Sequence, residues 1–520
     1  MILEGLVTTV SPSGELNLAP MGPEVDGSMS RFVLRPFQTS TTFSNLVERS
    51  EGVFHVTDDV LLLAHAATGT VVPPPETFAA EVVQGRVVAG ACRWYEFRIE
   101  EIDTSSERAE LTARVVHSGR LRDFAGLHRA RHAVVEAAIL ATRVHLLPPD
   151  DLRRQFADLA VIVDKTAGPR EREAFELLES HVVEAMAHPL AVKVSTGARL
   201  HFGLLSHGGN SPRQFGGAGM MIEDPGVRLT ASPADHDQVV MVSEGDRIED
   251  SNRASRWLER IGAHGDCRLP GVRIEISDVI SPHAGLGSGT QLALAVARAV
   301  AGLSGAGFRA VELAAAVGRG ERSGVGIHGF EHGGFLVDAG GRTGQVAALV
   351  ARADVPAAWR IVLAGPATGK GLTGEAEREA FARCREMPCE ATRALSSLLL
   401  QQVLPGLNEG DIDEAGEGLF LFGRLVGESF AAVQGGCYAD PQMASLVEWV
   451  RGKGIRGVGQ SSWGPTIWML CPDRATADSL AADVAGRPGV GWCRVVRPLN
   501  RGADVRAVID QPRRTLSKSG

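Results

Sequence analysis

The stretch Ser281-Pro282-His283-Ala284-Gly285-Leu286-Gly287-Ser288-Gly289-Thr290 limits the possible folds more than any other part of the chain. Ahead of it, Val272, Ile274 and Ile276 alternate with Arg273, Glu275 and Ser277, the pattern of a strand buried on one face. Behind it, Leu292, Val296, Val300 and Leu303 recur at helical spacing. A strand therefore runs into a glycine turn and straight on into a helix. Glycine permits left-handed backbone and lacks the Cβ that would hold a ligand away. The first amides of a helix have no partner within it and sit at the positive end of its dipole. Gly285, Gly287, Ser288, Gly289 and Thr290 are thus the expected contacts of a phosphate or diphosphate. The alternative is a turn that only packs the helix on its sheet.

At 520 residues the chain is too long for one core, and two or three domains are expected. Paired prolines at Leu147-Pro148-Pro149-Asp150 mark a break. Before it, short β-rich runs (Gly5 to Val10, Arg31 to Leu34, Gly52 to Val56, Val82 to Val88, Arg93 to Ile99) alternate with turn clusters, and a helix is predicted from Gly126 to Val144. Asp150 to Met186 reads as helical with an interruption at Gly168-Pro169, and His188-Pro189 closes the segment. From Ala191 onward strands and amphipathic helices alternate. The expected organisation is a multidomain chain: an all-β domain with added helices over 1–187, and an α+β unit of two lobes around a cleft over 191–510. The tail from Gln511 to Gly520, rich in Arg, Ser and Lys, is expected to fray.

A net charge of −9 leaves no basic surplus for a nucleic-acid backbone. No apolar run is long enough to span a bilayer, and the N-terminus carries no basic leader. The seven cysteines show no CxxC spacing, which suits a reducing compartment. A cytoplasmic enzyme of small molecules is expected.

The glycine loop resembles the phosphate loop of the GHMP superfamily of small-molecule kinases, with one residue fewer between Pro282 and Gly285 and with Gly289-Thr290 in place of Ser-Ala. Three further segments are similar to the β-ribofuranosylaminobenzene 5′-phosphate synthase family: Gly197-Ala198-Arg199-Leu200-His201-Phe202-Gly203-Leu204, the glycine-rich run from Gly318 to Phe330 with Gly333 to Asp338, and Gly459-Gln460-Ser461-Ser462-Trp463-Gly464-Pro465-Thr466. The resemblance runs from about Val192 to Pro498. It implies a reaction of phosphoribosyl pyrophosphate with 4-aminobenzoate or 4-hydroxybenzoate, losing pyrophosphate and carbon dioxide, in tetrahydromethanopterin biosynthesis. It also implies a magnesium ion and a homodimer. On this reading Arg199, His201, Arg322 and Asp338 are the catalytic candidates, Asp338 also being the candidate metal ligand. Arg319, Gln460, Ser461, Ser462 and Trp463 would hold substrate. Asp338 is equally a turn former, and a tryptophan such as Trp463 is more often a core residue than a platform. His328 and His332 are four apart, but the glycines around them argue against a helical metal pair. The competing readings are an ATP-dependent GHMP kinase and a non-catalytic flavin-binding or assembly fusion.

In the N-terminal part, Glu4 to Thr9, Gly14 to Gly22 and Arg35 to Leu46 resemble flavin-reductase-like split barrels, in particular an uncharacterised family with that fold. The resemblance implies FMN, with Thr39, Ser40, Thr42 and Asn45 at its phosphate. The alternative is a polar turn in a barrel without flavin.

Overall fold

The computed structural model describes residues 1–508 apart from 72, 107, 125, 127, 145–146, 148, 188, 209–212, 243–247, 264–268, 343–344, 368–373 and 385. Pro148, His188, Cys267 and the tail from Gln511 to Gly520 thus lie outside the described residues. The chain forms two compact units, Met1–Pro189 and Leu190–Val508.

The first unit is a curled seven-stranded sheet in the order β2-β1-β5-β8-β9-β4-β3. Its strands are β1 (Gly5–Val10), β2 (Leu16–Met21), β3 (Glu24–Val25), β4 (Arg31–Leu34), β5 (Glu51–Val56), β8 (Arg93–Asp103) and β9 (Glu110–Arg120), and the hairpin of β6 (Thr77–Ala79) and β7 (Arg86–Val88) forms its own two-stranded sheet. Phe32, Phe54, Tyr95 and Phe97 fill one face, with Phe32 edge-on to the other three. Helices α1 (Thr41–Arg49), α2 (Val60–Thr68), α3 (Arg129–Ala141), α4 (Pro149–Thr166) and α5 (Pro169–Ala187) complete the unit, and α2 to α5 share their own apolar core. The strand expected over Val82 to Val88 is confined to Arg86–Val88. The reason is Glu96, a fully buried carboxylate that accepts from the amides of Glu81, Val82 and Val83 at 2.8, 2.6 and 3.0 Å and curls that stretch into a turn.

His55, fully buried on β5, bonds Leu6 O through Nδ1 at 3.2 Å and accepts from the Val88 amide through Nε2 at 3.1 Å. That pairing requires the neutral ring, and burial lowers its pKa to about 4. The stabilisation is fully present above the unfolded value near 6.5 and is lost as pH falls toward 4, a change of about 3 kcal/mol. Hydrogen exchange of the β1 and β5 amides in the full chain, corrected for intrinsic rate, is expected to accelerate by about 40-fold between pH 6.5 and 4.5. His55→Gln should abolish that excess.

The second unit has two sheets. The first runs β12-β13-β11-β10-β20, with β14 and β15 extending from β11. Its members are β10 (Ala191–Leu204), β11 (Gly217–Pro233), β12 (Gln238–Met241), β13 (Val272–Asp278), β14 (Phe335–Asp338), β15 (Leu349–Ala353) and β20 (Asp504–Val508). The second, β17-β18-β16-β19, comprises β16 (Arg360–Gly365), β17 (Val458–Gln460), β18 (Ile467–Cys471) and β19 (Trp492–Val496). Helices α6 (Ile248–Gly262), α7 (Ser288–Leu303), α8 (Ala310–Ala316) and α9 (Val325–His332) accompany the first sheet. Then come α10 (Gly374–Arg383), α11 (Cys389–Leu398), α12 (Leu404–Glu409), α13 (Ile412–Gln434), α14 (Pro441–Gly452) and α15 (Arg474–Ala485). Strand β13, the glycine loop and α7 follow one another as the periodicity predicts, and α7 is buried along most of its length. No helix among the described residues is long and apolar enough to cross a membrane.

Candidate functional site

The glycine loop is tied down through its carbonyls. Ser461 Oγ donates to Gly285 O at 2.9 Å, Thr466 Oγ1 to Ala284 O at 2.7 Å, and the Arg199 amide to Leu286 O at 3.1 Å. Ser461 also accepts from the His201 amide at 3.1 Å, and the Ser462 amide donates to His201 O at 2.8 Å. Three segments far apart in sequence are thereby laced together: the middle of β10, the loop before α7, and the turn between β17 and β18. Gly285 and Gly287 both have φ +76°, and Gly287 opens α7 with no side-chain cap. The carbonyls thus face the protein, and Gly287 itself has no side chain with which to cap the positive end of α7.

Cationic side chains gather at that end. A Cβ on Gly287 would stand 2.6 Å from Arg199 Cγ, and one on Gly289 would meet the guanidiniums of Arg253 and Arg319. Arg253 and Arg319 both lie over the Trp257 ring, at 5.4 and 5.1 Å, and Arg253 pairs with the buried Asp250 at 3.5 Å. Three guanidiniums beside a positive helix end make this a favourable place for an anion.

A cavity of about 500 Å³ adjoins this cluster. Arg199, Arg260, Arg319 and Arg322 line it, as do His201, Ser323 and Thr290. Its apolar wall is Trp463 with Phe381 and Phe430, whose ring centroids lie 5.1 and 5.2 Å from that of Trp463. Arg322 stacks over Phe381 at 5.0 Å, so a guanidinium stands where cationic and aromatic surfaces meet. Such a chamber suits a ligand with an anionic and a flat apolar part.

The sequence-derived candidates divide accordingly. Arg199, His201, Thr290, Arg319, Arg322, Gln460, Ser462 and Trp463 border the cavity. Gly285, Gly287, Ser288 and Gly289 do not, although Gly287 and Gly289 touch the arginine cluster. Ser461 is fully buried and acts as a brace between loop and strand. Gln460 reaches the Ala439 amide at 2.8 Å and fastens the segment carrying Cys437 and Tyr438, which also border the cavity.

Asp338 is fully buried and does not line the cavity. Its Oδ2 accepts from Ser323 Oγ at 3.1 Å and the Gly324 amide at 3.0 Å, and its Oδ1 from the Gly340 amide at 2.9 Å. Burial nonetheless pushes its pKa up to about 6. His201 is held well below the usual imidazole range, first by burial and then by Arg199, so its ring is neutral. Contrary to the expectation from its glycines, the segment holding His328 and His332 is helical, as α9. His328 is nonetheless committed to Ala347 O at 2.7 Å, and among the described residues no three His, Cys, Asp or Glu side chains group as a metal site.

Arg253, Arg260, Phe381 and Phe430 escaped the sequence reading. Arg253 and Trp257 are one helical turn apart on α6, a spacing too common to single out without knowing what that face meets.

In the first unit, Thr42 and Asn45 are buried in a polar cluster. Asn17 Nδ2 donates to Thr9 and Thr42 at 3.1 and 3.0 Å, and Asn45 Nδ2 donates to Thr9 at 3.0 Å. Ser40 caps α1, accepting from the Phe43 amide and donating to Phe37 O, while Thr39 is exposed.

Comparison with known proteins follows the same division. Residues 3–122 match the family described as protein of unknown function (DUF447) N-terminal domain, and 128–180 match the DUF447 family itself. Residues 252–334, which hold the loop, match the GHMP kinases N terminal domain. Among solved structures, an FMN-bound DUF447 protein from Methanosarcina mazei is 22% identical, with a TM-score of 0.32, covering 35% of this chain and 94% of its own. The mevalonate diphosphate decarboxylase of Enterococcus faecalis is 14% identical, with a TM-score of 0.47, covering 61% and 99%. Beta-ribofuranosylphenol 5′-phosphate synthase of Methanothermobacter thermautotrophicus is 30% identical over 330 residues, 60% of this chain and 97% of the relative. That of Archaeoglobus fulgidus is 30% identical over 338 residues, 60% and 99%. With almost the full length of these synthases matched, the chain belongs, through its second unit, to the beta-ribofuranosylphenol 5′-phosphate synthase family.

Proposed function

We propose that the second unit joins C1 of phosphoribosyl pyrophosphate to the carboxyl-bearing carbon of 4-hydroxybenzoate, releasing pyrophosphate and carbon dioxide and forming a C-riboside for tetrahydromethanopterin biosynthesis. The observation that carries this is one cavity bordered both by Arg199, Arg319 and Arg322 beside the start of α7 and by the Trp463–Phe381–Phe430 wall. The relatives' name, a phenol product, favours the 4-hydroxy acid over 4-aminobenzoate.

The residues divide the work as follows. Arg199, Arg253 and Arg319 take the leaving diphosphate, whose charge grows as the C1–O bond breaks. The aromatic wall keeps water from the cationic sugar carbon and lays the benzoate ring flat. Arg322, reaching over Phe381, is placed to hold the carboxylate until it leaves. No enzymic nucleophile is needed, because the ring carbon attacks directly.

Magnesium is implied by the family resemblance, but Asp338 does not fit as its ligand: three donors already occupy its carboxylate, away from the cavity. For FMN in the first unit, Thr42 and Asn45 are engaged in internal packing, which leaves the exposed Thr39 as the candidate for its phosphate.

Purified protein given phosphoribosyl pyrophosphate, magnesium and carboxyl-labelled 4-hydroxybenzoate is expected to release labelled carbon dioxide in step with pyrophosphate. Silence there, with ADP formed from ATP and a small alcohol, would replace this reading with a kinase. Absorbance of the purified protein at flavin wavelengths decides the FMN question independently.

A further inference from the structure

Between the cavity and the buried Asp338 runs a chain of polar contacts that the proposed reaction has not yet used. His201 Nε2 lies 3.1 Å from Ser323 Oγ. Ser323 Oγ donates to Asp338 Oδ2 at 3.1 Å and accepts from the Val325 amide at 3.2 Å. Asp338 is in turn gripped by the Gly324 and Gly340 amides. A carboxylate that accepts from two amides and a hydroxyl is an acceptor on every side. Ser323 must therefore spend its one hydrogen on Asp338. With its hydrogen committed, Ser323 Oγ can only accept from His201, so the imidazole proton sits on Nε2. The other ring nitrogen, Nδ1, is left with its lone pair.

The residues make this a built arrangement and not a chance of packing. Ser323 and Gly324 lead into α9, Asp338 ends β14, and His201 lies in β10, so three separate elements converge on one hydroxyl. Both His201 and Ser323 border the cavity, whereas Asp338 stands behind them. Burial and Arg199, two residues along the same strand, keep the ring neutral at rest, so Nδ1 accepts a proton only as carbon–carbon bond formation makes the para hydroxyl strongly acidic. A neutral imidazole of fixed tautomer beside a substrate cavity is a proton acceptor held ready.

We propose that Ser323 and Asp338 are positioning residues that hold His201 with its proton on Nε2, and that His201 Nδ1 takes the proton from the para hydroxyl of the aromatic acid as the new carbon–carbon bond forms. The inference rests on the synthase reading and deepens it. The O–H bond breaks and its proton goes to Nδ1. The electron pair moves through the ring to bond the carboxyl-bearing carbon to C1, and the C1–O pair leaves with pyrophosphate. The bond to the carboxylate then breaks, its pair restores the aromatic ring, and carbon dioxide departs. The resulting phenolate recovers the proton from His201, so no proton is gained or lost overall.

Two acids separate this role from a merely structural one. The 4-hydroxy acid gains most from losing its proton, whereas the nitrogen of 4-aminobenzoate donates its lone pair without losing one. Ser323→Ala is expected to lower kcat for 4-hydroxybenzoate by about 30-fold, with KM little changed, and to lower kcat for 4-aminobenzoate by less than about 3-fold. Ser323→Thr, which keeps the hydroxyl, should recover most of the loss. Nitrogen-15 spectra of the imidazoles, with His201 assigned by its disappearance in His201→Gln, should show protonated Nε2 and bare Nδ1 in the parent protein and mixed tautomers in Ser323→Ala. Equal losses with both acids, or a proton resident on Nδ1 in the parent protein, would overturn the proposal. If the parent protein turns over neither acid, the synthase reading fails and the base role goes with it, while the spectra still decide the tautomer.

Discussion

Arg199→Lys is expected to lower kcat/KM for phosphoribosyl pyrophosphate by about 100-fold, equivalent to about 2.7 kcal/mol of transition-state binding. Arg199 sits in the middle of β10, its amide bonded to Leu286 O and its stem against Gly287, so the guanidinium is carried to the uncapped start of α7. Lysine would keep the strand and the charge but lose the planar fork that engages two phosphate oxygens at once. The loss should appear mainly in kcat, because the pyrophosphate gains charge on leaving. The thermal midpoint should move little. Steady-state kinetics with the sugar diphosphate varied at saturating aromatic acid measures this. A variant within about threefold of the parent would remove Arg199 from the chemistry.

Gly285→Ala should damage both the fold and the site. At φ +76° an alanine is strained by about 1–2 kcal/mol, and its Cβ would meet two backbone carbonyls, those of Ser461 and Gly464, the latter at 3.0 Å. Neither carbonyl can swing aside, because the turn that bears them is fastened to the loop by Ser461 and Thr466. Together these terms predict a loss of about 2–4 kcal/mol. Denaturation of the full chain followed by tryptophan fluorescence would report it, since the first unit contributes only Trp94 of the seven tryptophans. Activity should fall further than stability alone explains, as the loop carries the start of α7 with it. Parent-like stability and turnover would mean that the loop yields more readily than its contacts suggest.

Much of this architecture can be read from periodicity. The alternation at Val272 to Ser277, the glycines and the helical spacing from Leu292 to Leu303 mark β13, the loop and α7 because each obeys a local rule. Gly168 likewise lies between α4 and α5, and Pro169 opens α5. Long-range bonds are what escape such rules. Nothing local to Val82 discloses that Glu96 will capture its amide, and nothing local to Ser461 discloses that its hydroxyl will end on Gly285. The motif strings located the neighbourhood of the site but blurred two roles within it: brace and ligand look alike in sequence. Ser461 and Ser462 are adjacent and chemically identical, yet one is sealed inside while the other borders the cavity. Ser323, inside a run already marked for its glycines and arginines, becomes visible as a relay only once β14 brings Asp338 beside it.

The pairing of β10 with β20 has a consequence for how such a unit joins a longer polypeptide. Ala191 lies opposite Val508, so the chain enters and leaves the second unit on neighbouring strands. An entrance and exit side by side let a folded body be appended to, or spliced into, another chain without disturbing its interior. Attachment to a barrel-bearing partner therefore demands no redesign of the synthase-like body, only a tether at one sheet edge.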